Sequence, residues 1–263
     1  MSSEPQKSSA LFTFCRSFPI YFLTVFWTAF YWTAMLLPVG ISLLFPRCKR
    51  RHFMRFLLFL FGWTMVRIVW RPFFRVRYED HSGCGKDRAP GIVVVNHRAA
   101  TDAFLVAVMG ESCAQTVNGW PMRAPVIGWG AKLGGYLDIT GWDFATLEKN
   151  ATEVIAANDV IVAFPEGTRS ESEKMNAFHS GIFKIALDLG LPVYMLCIAG
   201  NEYMPDRKFR FRMFRDLLIR RLAPIPADEV GRCATAFVLK KTVFRMMEEE
   251  LAKMDELLKE KKS

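Results

Sequence analysis

Residues 92–102, Ile-Val-Val-Val-Asn-His-Arg-Ala-Ala-Thr-Asp, leave the backbone few choices. Four apolar, β-branched residues in a row read as a buried strand. Asn96 and His97 follow at its end. Thr101 or Asp102 then opens an apolar run from Ala103 to Met109 that reads as a helix with a side-chain N-cap. His97 therefore leaves a strand and Asp102 enters a helix, with a tight turn between them. That path can return the carboxylate to the imidazole. A histidine whose second ring nitrogen is held by a carboxylate has a fixed tautomer and a stabilised imidazolium, which is what a general base requires. The plainer alternative is a loop histidine beside an N-cap aspartate.

A second stretch repeats the plan. Asp159-Val-Ile-Val-Ala-Phe-Pro-Glu-Gly-Thr-Arg-Ser170 is an apolar strand that breaks into a polar turn. Pro165 and Gly167 shape the turn, Glu166 and Arg169 bring charge, and Thr168 and Ser170 bring hydroxyls. Arginine beside free backbone N–H groups is a phosphate-binding arrangement, although a surface Glu–Arg pair would give the same letters. Two polar turns at strand ends favour one shared site, because ligands of open α/β sheets gather at strand C-termini.

Charge is distributed unevenly. The chain of 263 residues carries a net +9, with 51% hydrophobic residues and 23 phenylalanines. Arg47, Lys49, Arg50, Arg51, Arg55, Arg67, Arg71, Arg75 and Arg77 share one window that holds no acid. Interleaved with long apolar runs, this basicity points to an anionic membrane surface; no nucleic-acid motif accompanies it. The six cysteines are scattered, without C-x-x-C or a Cys/His cluster, so neither a disulfide framework nor a metal site is expected.

From Ser17 to Pro46 no residue is charged. A bilayer crossing needs about 20 apolar residues, so this run is long enough. Pro38 and Gly40 predict a kink or an end in the first helix, giving a stretch near Pro19–Leu37 and a short tail. The basic cluster Arg47–Arg51 then predicts that this end faces the cytoplasm. Phe56–Val66, bracketed by Arg55 and Arg67, is half a span and reads as an interfacial or re-entrant helix, with a buried core helix as the alternative. Strands are expected near Arg75–Tyr78, Gln115–Asn118, Tyr136–Ile139 and Pro192–Ile198. Phe209–Phe214 alternates apolar and basic residues and reads as an edge strand. Helices are expected over Val126–Leu133, Trp142–Asn158, Phe178–Gly190 and Asp228–Lys259, with Gly119–Pro125 as a connection. His52, His81 and His179 read as surface residues.

The two polar turns also carry a family resemblance. Asn96-His97, four residues and Asp102 are similar to the first motif of the glycerolipid acyltransferases, typified by 1-acyl-sn-glycerol-3-phosphate acyltransferase. Phe164-Pro-Glu-Gly-Thr-Arg-Ser170 resembles the third motif, and Gly190-Leu-Pro-Val193 the fourth. The likeness covers roughly residues 90–200. It implies fatty acyl transfer from acyl-CoA or acyl carrier protein to a lipid hydroxyl, with no cofactor beyond that donor and no metal. His97 would be the base and Asp102 its orienter, with Asn96, Glu166, Gly167, Thr168 and Arg169 around the acceptor. By family frequency the first acceptor is 1-acyl-glycerol-3-phosphate. The second motif departs from the pattern: Leu133-Gly-Gly-Tyr-Leu-Asp-Ile139 ends in Ile139 where the family has an arginine. That departure opens the alternative of a non-phosphate acceptor such as an aminolipid. A lipid or thioester hydrolase is the less favoured reading, since no G-x-S-x-G is present.

The expected architecture is α/β: a mixed central sheet with helices on both faces, spanning 76–263, preceded by membrane-associating helices in 1–75.

Overall fold

The computed structural model describes residues 10–84, 88–123, 127–140, 143–170, 172–202, 204–206, 210–211 and 213–260. It opens with a helical hairpin. α1 (Ala10–Ser42) runs into a short turn, and α2 (Arg47–Thr64) continues as a π-helical turn over Met65–Val69. Three contacts fix the two helices antiparallel. Tyr31 Oη donates to Leu57 O at 2.7 Å, Trp27 Nε1 to Thr64 Oγ1 at 3.1 Å, and Trp70 Nε1 to Thr24 Oγ1 at 2.9 Å.

Two expectations fail in this hairpin. Pro38 does not end the first helix; both Pro19 and Pro38 lie inside α1. A proline costs one backbone hydrogen bond, but Val39 and Ser42 beyond it are buried, so tertiary packing carries the helix through. Nor is the second helix half a span. It extends back through the basic cluster because Arg55 is buried, donating to Asp159 Oδ2 at 2.7 Å and to Gly134 O at 2.9 Å. Arg51 pairs with Glu153, and half-exposed His52 is not a free surface residue, its Nδ1 standing 2.9 Å from Asp159 Oδ2.

Both helices are long and apolar enough to cross a membrane, yet both are tied lengthwise to the sheet. Near one end Arg55 and His52 bind Asp159; at the other Phe211 N donates to Ser17 Oγ at 3.1 Å. The hairpin therefore lies along the domain and turns one face outward. On that face Phe18, Phe22, Phe26 and Phe30, four residues apart, are each at least 55% exposed, and Leu36 and Leu37 more so. A stripe this apolar fits a membrane surface.

Seven strands follow: β1 (Phe74–Asp80), β2 (Ile92–Val95), β3 (Cys113–Val117), β4 (Leu137–Asp138), β5 (Val160–Ala163), β6 (Val193–Ala199) and β7 (Arg215–Arg221). Their order is β1-β7-β6-β2-β5-β3-β4. Only β6 and β7 pair antiparallel, so β1 and β7 oppose the other five. The central strands are apolar on both sides, as strands covered by helices on both faces must be. Val93, Val95, Val160, Val162, Leu196 and Ile198 pack toward the hairpin and α3 (Asp102–Leu105). Ile92, Val94, Ile161, Ala163, Met195 and Cys197 pack toward α6 (Phe144–Ala156), α7 (Gly181–Asp188), α8 (Ala227–Arg232) and α9 (Ala236–Glu260). Two short helices, α4 (Gly119–Arg123) and α5 (Ile127–Gly134), lie between β3 and β4. The mixed sheet with helices on both faces is as the sequence predicted.

The differences are local. Gly119–Arg123 is helical where a connection was expected. The C-terminal segment is two helices, because Cys233 takes an extended conformation. Phe209–Phe214 gives no edge strand: Phe209 and Arg212 lie outside the described residues, Arg210 pairs with Asp206, and Phe211 is buried against the Tyr21 ring at 5.0 Å. The strand begins at Arg215 and lies one place inside the edge, with Leu217, Leu218 and Ile219 buried.

Removing residues 1–74 should strip the cover from Leu105, Val106 and Val108, which pack in one cluster with Leu57, Phe61 and Met65. The truncated chain is expected to aggregate without detergent. A soluble, monodisperse product in sedimentation would contradict this packing role.

Candidate active site

The site is built where β2 stops. Asn96 extends the ladder with its side chain: Nδ2 donates to Ile198 O at 2.9 Å and Oδ1 accepts from Ile198 N at 2.8 Å. A primary amide presents one donor and one acceptor edge just as a peptide does. Asn96 is therefore fully buried and committed to β6, and the backbone is free to turn into His97.

Asp102 then folds back over that turn. Its Oδ2 accepts from His97 Nδ1 at 2.9 Å, Arg98 N at 2.8 Å and Ala99 N at 2.9 Å, and Oδ1 accepts from Asn201 Nδ2. The expected side-chain cap on the following helix is absent; the carboxylate closes the preceding turn instead. Fully buried and surrounded by donors, Asp102 serves as acceptor, so the shared proton sits on Nδ1 of His97 and Nε2 keeps its lone pair. The His97 side chain is 22% exposed and leans on Phe164, ring centroids 4.7 Å apart. The arrangement can lift a proton from a hydroxyl at Nε2 and stabilise the resulting imidazolium.

The second polar turn holds His97 from the other side. Glu166 Oε1 accepts from His97 N, and Oε2 from Asn176 N, each at 2.7 Å. Ser170 N donates to His97 O at 2.8 Å. Both polar groups of the His97 peptide unit are thus bound by residues 166–170. Burial pushes the Glu166 carboxyl up to about 7, against the pull of the two N–H bonds. Gly167 has φ +70, and a Cβ there would sit 3.1 Å from His179 Nε2; a side chain would meet both backbone strain and a neighbour. Thr168 is exposed and Arg169 partly so. Of the expected substrate contacts, Asn96 and Glu166 are therefore spent on scaffold bonds, while Gly167 and Thr168 face a cavity.

That cavity, of about 460 Å³, lies across Phe164 from His97. Thr116, Asn118, Ile139, Thr168 and His179 line it, with α7 as its floor. His179, exposed as expected, also lines it. Asn118 Nδ2 also donates to Gly167 O at 3.1 Å. Among the described residues the lining contains no lysine, arginine or carboxylate.

Arg98 was not foreseen. It is fully buried, and its guanidinium donates to Glu202 Oε1 at 2.6 Å, both Asp255 oxygens at 2.8 Å and Glu173 O at 2.5 Å. It pins the His97 turn to α9. Asn201 was equally invisible, because its partner Asp102 lies 99 residues away in sequence.

The Acyltransferase family model matches residues 75–199, the stretch that holds the strand-end histidine, its buried aspartate and the Glu-Gly-Thr-Arg turn. That stretch, just under half of the chain, is similar to the acyltransferases. A 1-acyl-sn-glycerol-3-phosphate acyltransferase of Brassica napus chloroplasts is 28% identical over 167 residues, covering 62% of this chain and 47% of its own length. This chain thus spans about half of that plant relative. The lyso-ornithine lipid O-acyltransferase of Pseudomonas aeruginosa is 26% identical over 196 residues, covering 66% of this chain and 72% of its own length. The crystal structure of the Thermotoga maritima 1-acyl-sn-glycerophosphate acyltransferase superposes with a TM-score of 0.74 at 20% identity, covering 93% of this chain and 96% of that one, and shares the fold.

Proposed function

We propose that this chain is a membrane-associated O-acyltransferase that moves a fatty acyl group from acyl-CoA or acyl carrier protein to the hydroxyl of a lyso-lipid. The observation that carries the reading is the His97–Asp102 pair, with Nε2 left basic. As the acceptor oxygen attacks the thioester carbonyl, its proton passes to Nε2, and Asp102 stabilises the imidazolium. Collapse of the tetrahedral intermediate breaks the C–S bond, and His97 returns the proton to the leaving thiol. No enzyme nucleophile is required. Product analysis with a labelled acyl thioester tests the class: lipid ester is expected, whereas free fatty acid alone would indicate a hydrolase and no turnover a binding module.

The donor thioesters are cytoplasmic molecules, and the basic ends of the hairpin suit an anionic leaflet, so the domain is assigned to the cytoplasmic face of the membrane.

For the acceptor, the uncharged lining around Ile139 favours a headgroup without an exposed phosphomonoester, such as a lyso-aminolipid. A phosphomonoester calls for strong positive complementarity. The second reading is 1-acyl-glycerol-3-phosphate, favoured by Arg169 in the third motif and by the acceptor named for the Brassica relative. The comparison of kcat/KM for the two acceptors, in wild type and in Ile139→Arg, decides between them. The aminolipid reading expects wild type to prefer the zwitterionic acceptor, and the substitution to raise kcat/KM for the phosphate acceptor by about tenfold or more, the scale of one charge-assisted hydrogen bond. A wild type that strongly prefers the phosphate acceptor and gains nothing from Ile139→Arg would reverse the assignment.

A further inference from the structure

A second basic feature lies outside the site. Arg67 in the π-helical turn, Arg71 after it and Arg75 in β1 share a groove of about 700 Å³ with Trp63, Ile68 and Val76. Among the described residues no carboxylate lines it. The buried arginines Arg55, Arg98, Arg220 and Arg221 each meet an acid, whereas Arg67 is half-buried and Arg71 and Arg75 are exposed. Among the described residues none of the three groove arginines has an ion pair, although Asp216 stands opposite Arg75 in the β1–β7 register. Their one hydrogen bond is a long one, from Arg67 Nη1 to Val76 O at 3.5 Å.

Topology places this groove. β1 runs opposite to β2, so the start of β1 and the end of β2, where His97 stands, lie on the same edge of the sheet. The register sets Val95 level with Asp80 through Leu196 and Arg221, so Arg75 stands three strands across and five residues further along, roughly 22 Å from Val95 at usual strand spacings. The groove is thus at the reacting edge and too far off to be the acceptor's own headgroup contact. Its surroundings are apolar and outward-facing. Ile68 is 54% exposed, Trp63 38%, and Phe214, whose N–H bonds Phe73 O just before β1, 72%. Unpaired arginines ringed by exposed isoleucine, tryptophan and phenylalanine match the chemistry of a bilayer surface, where phosphates meet acyl chains.

We propose that Arg67, Arg71 and Arg75 form a docking site for the headgroup of an anionic bilayer phospholipid, a lipid that is not consumed. It holds the His97 edge against the leaflet while the α1 stripe supplies apolar anchorage. The proposal is independent of which acceptor the enzyme uses.

The test is flotation of the full-length protein with phosphatidylcholine vesicles, with and without phosphatidylglycerol. Wild type is expected to prefer the anionic vesicles and to lose that preference at high salt. At about five-fold per cation, Arg67→Gln/Arg71→Gln/Arg75→Gln should lose roughly a hundred-fold of it. Binding to phosphatidylcholine and acyl transfer in neutral detergent micelles should be unchanged. Arg47→Gln/Lys49→Gln/Arg50→Gln, at the other end of α2, should lose much less of the preference. Equal loss in that control would mean diffuse charge attraction and overturn the site. So would a glutamine variant with undiminished preference, or saturable binding of inorganic phosphate that depends on the three arginines without vesicles. If the glutamine variant does not fold, Arg67→Lys/Arg71→Lys/Arg75→Lys must keep the anionic preference. A wild type indifferent to phosphatidylglycerol refutes the proposal in every case.

Discussion

Replacing His97 with alanine should lower kcat by about two to four orders of magnitude, the usual value of a positioned general base, with membrane association and fold retained. The side chain is partly exposed and supports no other bond than the one to Asp102, so little else is lost. Asp102→Asn should cost less. The asparagine Oδ1 can still accept from the His97 ring and the turn amides, and its new amide can donate to Asn201, whose Oδ1 has no partner, once that side chain rotates. What disappears is the charge that stabilises imidazolium. Steady-state kinetics of both variants decide the matter. A His97→Ala enzyme that keeps a large share of wild-type turnover would remove the base assignment, and an Asp102→Asn enzyme worse than His97→Ala would show that the turn, not the charge, dominates.

The largest expected effect on stability belongs to Arg98→Met. Breaking a buried ion pair by removing one partner costs about 3–5 kcal/mol, because the remaining charges stay buried and unpaired. Here Glu202 and Asp255 would face each other with no cation between them, and Glu173 O would lose a donor. Denaturant unfolding should show that loss, and adding Glu202→Gln and Asp255→Asn should recover part of it. A destabilisation below about 1 kcal/mol would mean that the cluster positions the turn without holding the fold together. Activity should fall with stability, since the turn bearing His97 begins at the same residue.

What could be read from the sequence follows from distance along the chain. β2, β5 and the two polar turns were legible because each is a run of β-branched residues broken by Asn-His or Pro-Glu-Gly, a local pattern. His97 and Asp102 are five residues apart, close enough for a turn to join them. Arg98, Asn201 and Asn118 were not legible, because their partners lie on other elements and their own neighbourhoods carry no period or spacing. The hairpin was misjudged for the same reason. Pro38 and Arg55 looked like helix breakers and borders, and only Val39 packing and the Asp159 carboxylate override them. Phe209–Phe214 had the alternation of a strand, but Phe211 is claimed by α1 before any strand can recruit it.

The lengthwise seating of α1 on the domain has a kinetic meaning. Its phenylalanine stripe runs toward the end where Ser17 meets Phe211, beside the edge that carries His97. On the proposed function, a lyso-lipid would enter sideways, from within its own leaflet, without first dissolving in water. The search for substrate becomes diffusion in two dimensions. The quantity that sets the rate is the number of acceptors per unit of membrane surface, whatever their amount in the bulk volume. The proposed product, bearing one more acyl chain, would stay in the sheet of lipid from which its precursor came.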